Sequence, residues 1–221
     1  MLAKIAGHPT TVWIVGSSIV RDGFIEAKMQ PGGINLSLKK RLGVSIWWQG
    51  RGGLTLRKLK NHIRLLMRLE DTPDYVVIHI GGNGIRDIRV GHFHYLLVRF
   101  MSWLTLHYLL VRSMSWLTQM MPQTGLIWSA ILPRLTWKYS ENNDRMEKCR
   151  RRLNSSMGLH MVRHGSYYIK YPEIKADRRF LKTDGVHLTK IGNQVFLNIL
   201  QGTIEQFVKS KVGGLTFPDL Y

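Results

Sequence analysis

Apolar and polar positions alternate along this chain of 221 residues in a regular way. Short apolar runs occur at residues 11–15, 44–48, 75–80, 126–131 and 167–169, and longer stretches with helical spacing lie between them. The runs are apolar at nearly every position, as expected of parallel strands covered on both faces. Within 54–69, Leu56, Leu59, Ile63, Leu66 and Leu69 recur at the three- and four-residue intervals of a helix. Met146, Cys149, Leu153 and Met157 mark a second helix, for which Ser140 is the expected N-cap. A third covers about 189–208, with Ile191, Val195, Ile199 and Ile204 on or near one face. This β-α alternation predicts an α/β fold: one parallel sheet of five strands between two helical layers, joined by right-handed crossovers. The expected organisation is a single domain over 11–208 with short tails at 1–10 and 209–221.

One segment breaks the pattern. HYLLVRFMSWLTL (94–106) is followed at once by HYLLVRSMSWLTQ (107–119). A unit of 13 residues present only twice is too short for a solenoid repeat and reads as a tandem duplication. Thirteen steps of ~100° turn a helix by roughly 220°, so the second copy cannot continue the buried stripe of the first. One copy is therefore expected to pack while the other extends the helix, kinks it or protrudes.

Charge changes the picture of partners rather than of fold. The 32 Lys and Arg residues outnumber the 14 Asp and Glu, a formal net charge of +18, which favours contact with polyanions. The basic residues are dispersed (39–41, 57–60, 149–152, 177–179) and come with no zinc-ligand set, RNP motif or basic heptad array. They fit a solvated basic surface; the alternative is a surface that holds nucleic acid. The single cysteine, Cys149, excludes an intrachain disulfide. The first residues lack the apolar core of a secretory signal, so an intracellular location is expected. The longest apolar region, 94–121, is interrupted by Arg99 and Arg112 and falls short of the ~18 uncharged apolar residues of a membrane span.

Candidate chemistry begins where the first apolar run stops, at Gly16-Ser17-Ser18. Sites in open α/β sheets form beyond the carboxyl ends of the strands, where helix N-termini present backbone N–H groups. A serine there can equally serve as a plain helix cap. The surroundings are not the G-x-S-x-G of a nucleophile elbow. Three more segments follow expected strands or precede the last helix: GRGGLT (50–55), GGNGI (81–85) and DGVHLTKIG (184–192). Asn83 brings a side-chain donor into a glycine loop. His187 lies three residues after Asp184, within reach of its carboxylate. His92 and His94 have the spacing of a metal pair but no carboxylate or cysteine beside them, and read as a surface loop.

Taken in order, the four segments resemble blocks I, II, III and V of the SGNH, or GDSL-type, hydrolases, over about residues 11–208. The resemblance implies a flavodoxin-like three-layer α/β/α fold and hydrolysis of esters without metal or cofactor. Ser18 matches the nucleophile; Gly53 and Asn83, with the Ser18 N–H, match the oxyanion hole; Asp184 and His187 match the acid and base. VWIVGSSIV, VVIHIGGN, LPRLTW and GVHLTKIGNQVFL are similar to SGNH-type domains of vertebrate tyrosine-recombinase retrotransposons, which implies a retroelement origin. The chain departs from the family pattern at Ser17 and Gly84, where aspartates are usual, and in the duplication between blocks III and V. Arg134, after the fourth run, is a candidate for binding an acidic group on a small ester substrate. Trp128 and Trp137 are expected as core and rim packing.

Overall fold

The first apolar run forms β1 (Thr10–Gly16), whose last five residues are all buried. Around it the computed structural model describes residues 9–83, 95–137, 142–210 and 213–218, with backbone alone for 95–105. The remaining expected runs form β2 (Val44–Gly50), β3 (Tyr75–His79), β4 (Gly125–Ser129) and β5 (Tyr167–Ile169). All pair in parallel, in the order β2-β1-β3-β4-β5. Every residue after the first is buried in both β3 and β4, as their apolar runs require. The edge strand β2 instead alternates, with Val44, Ile46 and Trp48 turned to the core.

The sheet has six strands where five were expected. Thr216–Phe217 forms β6, parallel to β5. It is held by backbone bonds from Tyr168 N to Leu215 O (3.0 Å) and from Lys170 N to Phe217 O (2.7 Å). A strand of two residues is too short to leave a period in the sequence. The segment 209–221, expected as a tail, thus contributes an edge of the sheet.

Helices cover both faces. α1 (Ser18–Lys28) packs against α6 (Lys190–Ser210) on one side. On the other, α4 (Tyr95–Met120) touches both α3 (Leu56–Leu66) and α5 (Asn143–Arg163). A short helix, α2 (Leu38–Leu42), which the periodicity does not announce, precedes β2. The N-cap of α5 is Asn142, whose side chain accepts from Arg145 N at 2.9 Å. It takes the place expected of Ser140, which lies outside the described residues.

The duplication forms one continuous helix. Leu106, Leu110, Met114, Leu117 and Met121 are buried at intervals of three and four, with Ser113 beside them, so the second copy and its borders present a packing stripe. The first copy lengthens α4 toward its N-terminus, one of the outcomes its 220° offset allows. Ser113, which stands where the first copy has Phe100, lies inside that stripe and is 5% exposed. No helix among the described residues is long and apolar enough to cross a membrane.

Candidate active site

The chain passes from β1 to β2 on one side and returns to β3 on the other, so the strand order reverses around β1. In parallel sheets this switch leaves a crevice at the carboxyl ends of the strands. Ser18 is the first residue of α1 and stands at that crevice. Ser17 is in the N-cap position, yet its side chain makes no capping bond. Helix capping therefore does not account for the serine pair. Gly16 has an explanation in packing: a Cβ there would lie 2.4 Å from Val20 Cγ2 and 2.5 Å from His79 O. Only a residue without a side chain lets α1 leave the strand so sharply.

Neighbouring strands deliver the oxyanion candidates. The loop after β2 is tied to the end of β1 by Arg51 N donating to Gly16 O at 2.9 Å. Gly53 follows with φ of +70°, a left-handed conformation that favours glycine. The loop after β3 carries Asn83; Gly84, which follows it, lies outside the described residues, as do His92 and His94.

The segment before α6 closes the site from the far end of the chain. Leu181 and Leu188 form an antiparallel bridge, and Lys182 N donates to His187 O at 2.8 Å. At the tip, Asp184 Oδ1 accepts from the backbone N–H groups of Val186 and His187, each at 2.9 Å. This turn leaves Oδ2 facing the imidazole, 2.6 Å from His187 Nδ1. The opposite ring nitrogen, Nε2, is 2.9 Å from Ser18 Oγ, across 169 residues of sequence. With Asp184 ionised, Nδ1–H donates to the carboxylate, so the lone pair of Nε2 meets the serine hydroxyl.

Two opposed effects set the acidity of Asp184. Partial burial pushes its pKa up, but hydrogen bonds from the His187 ring and from the two backbone N–H groups outweigh that and hold it down at about 2. Beneath the crevice His79 is buried, with Nδ1 2.8 Å from Ser129 Oγ, which in turn is 2.6 Å from the Tyr171 hydroxyl. Burial, reinforced by the Arg134 cation, depresses the His79 pKa to about 3, so this ring is neutral at physiological pH. His79 and Arg134 border one small cavity of about 20 Å³.

All six residues singled out in the sequence line one cleft of about 620 Å³: Ser18, Gly53, Asn83, Arg134, Asp184 and His187. The structure adds Arg21 and Thr136 to its walls. Arg21 follows Ser18 by three residues on α1, and that spacing places both on one helix face. Thr136, whose hydroxyl donates to Asp184 O at 3.1 Å, has no sequence signal. Trp128 is wholly in the core and Trp137 is buried beside the cleft, the two packing roles expected.

No protein-family model and no curated protein matches the sequence. The likeness is to solved structures. A GDSL-like lipase from Bacteroides thetaiotaomicron is 19% identical with a TM-score of 0.60, over 95% of this chain and 93% of that one. A member of the lipolytic G-D-S-L family from Veillonella parvula is 13% identical with a TM-score of 0.65, over 89% and 99%. An acetylxylan esterase from Geobacillus stearothermophilus is 14% identical with a TM-score of 0.59, over 91% and 96%. The shared feature is the three-layer architecture, and the chain has the fold of the SGNH hydrolases.

Proposed function

We infer that the chain is an SGNH-type serine hydrolase that cleaves esters through an acyl-enzyme. The observation that carries this reading is the unbroken hydrogen-bonded relay from Asp184 through His187 to Ser18, at the mouth of a cleft that also holds Gly53 and Asn83. The structural neighbours include proteins described as lipase and acetylxylan esterase, which supports ester chemistry.

A serine hydroxyl is a weak nucleophile until a base accepts its proton. Ser18 Oγ attacks the ester carbonyl as its proton passes to His187 Nε2. Asp184, ionised throughout the physiological range, holds the ring in the required tautomer and stabilises the imidazolium. The tetrahedral oxyanion is met by the N–H groups of Ser18 and Gly53 and by the Asn83 amide; losing one such donor typically costs ~3 kcal/mol. Collapse expels the alkoxide, which takes the proton from His187. Water then attacks the acyl carbon as His187 takes its proton, and collapse returns that proton to Ser18 Oγ and releases the acid.

The test uses p-nitrophenyl acetate. Ser18→Ala and His187→Ala should each lower kcat by about a thousandfold or more, and covalent labelling by a fluorophosphonate should require Ser18. Hydrolysis by Ser18→Ala at the wild-type rate overturns the reading. The alternative, a nucleic-acid-binding module, rests on the charge of +18. It calls for binding that falls steeply with salt and ignores the Ser18 substitution.

A further inference from the structure

The geometry points to Arg134 as a positioning residue that fixes the orientation of the Asn83 carboxamide, a role that rests on the ester-hydrolase reading. An oxyanion pocket needs the NH2 end of an asparagine. The two ends of a carboxamide have nearly the same shape, so an unrestrained Asn83 could present its carbonyl oxygen instead, which would repel the developing negative charge. Arginine resolves this choice because its guanidinium has donors and no acceptor. Arg134 Nη2 stands 3.4 Å from Asn83 Oδ1. The carbonyl end is therefore held by the cation, and the NH2 corner is turned away from it.

The guanidinium is itself packed against two neighbours. One is Gly82, where a Cβ would be 2.5 Å from Nη2, 3.2 Å from Cζ and 3.5 Å from Nε. The other is Trp137, whose ring centroid is 4.9 Å from Cζ. The following residues anchor the segment to the relay: Leu135 N donates to Gly185 O at 2.9 Å, and Thr136 Oγ1 donates to Asp184 O at 3.1 Å. One short stretch thus sets the oxyanion donor against the base. Lysine lacks the planar guanidinium that packs against the glycine and the indole.

A double-mutant cycle on the neutral ester p-nitrophenyl acetate tests this. Arg134→Met should lower kcat roughly tenfold to a hundredfold, a fraction of the loss of a whole oxyanion donor, with KM changed by under about threefold. Arg134→Lys, which retains a donor, should recover part of the rate. Gly82→Ala, which pushes a methyl into the guanidinium, should reproduce the defect in a protein whose Arg134 is intact. In an Asn83→Ala background Arg134→Met should change kcat by less than about twofold. Additive losses, or a defect confined to KM, overturn the proposal. Crystal structures of wild type and Arg134→Met give a readout independent of activity. The Asn83 carboxamide should rotate or lose its single orientation in the variant, and an unmoved carboxamide overturns the assignment. If the wild type proves inactive, the hydrolase reading fails while these structures still decide whether Arg134 holds Asn83.

Discussion

Replacing His79 by asparagine should flatten the pH dependence of stability in a way that can be worked out from its surroundings. The ring is 5% exposed, lies against Phe196 and Tyr171 and bonds through Nδ1 to Ser129. Asparagine can place a polar atom near Nδ1 but cannot titrate. In the folded protein burial, aided by Arg134, depresses the His79 pKa to about 3, against an unfolded value near 6.5. Between those two pH values the unfolded chain binds a proton that the folded chain refuses. Stability therefore falls as pH drops from about 6.5 toward 3, by ~1.4 kcal/mol per pH unit. Between pH 7 and pH 4.5 this one group should cost the wild type about 2–3 kcal/mol. Asparagine leaves part of the ring volume empty, so the variant starts less stable, by roughly 2–4 kcal/mol at pH 7. The gap between wild type and variant, measured by urea unfolding at each pH, should then narrow by about 2–3 kcal/mol on acidification, because other titrating groups cancel in the difference. A gap that stays constant from pH 7 to pH 4.5 would refute the reasoning, since it would mean that the folded protein admits the proton.

Two further outcomes follow from other parts of the molecule. Asp184→Asn should cut kcat on p-nitrophenyl acetate by roughly 10²–10⁴, because an amide donor facing Nδ1 favours the tautomer that turns an N–H toward Ser18. In the wild type Asp184 remains ionised down to about pH 2, so its protonation should not set the acid limb of the rate profile; a limb that vanished in this variant would contradict that. Leu110→Ala or Leu117→Ala in the packed stripe of α4 should cost about 3–5 kcal/mol, read by urea unfolding. A loss of less than about 1 kcal/mol in both variants would contradict the packing of that stripe.

The local elements were written in the sequence because each has a one-dimensional cause. Continuous apolar runs specified β1, β3 and β4 to within two residues at either end, since a strand buried on both faces must be apolar throughout. The 13-residue offset of the duplication already required the two copies to differ in packing, although only the structure shows that the second one packs. The candidate site was legible as well, because its groups sit in short segments of restricted composition at strand ends. Other features depend on what another part of the chain does. β6 exists through its register with β5, the cap of α5 through a side chain two residues beyond the expected serine, and the need for glycine at 16 through Val20 and His79. The contact of Arg134 with Asn83 spans 51 residues and leaves no periodic trace. Periodicity records which side of an element meets the core; which residues meet one another across the sheet is settled only when the strands are laid side by side.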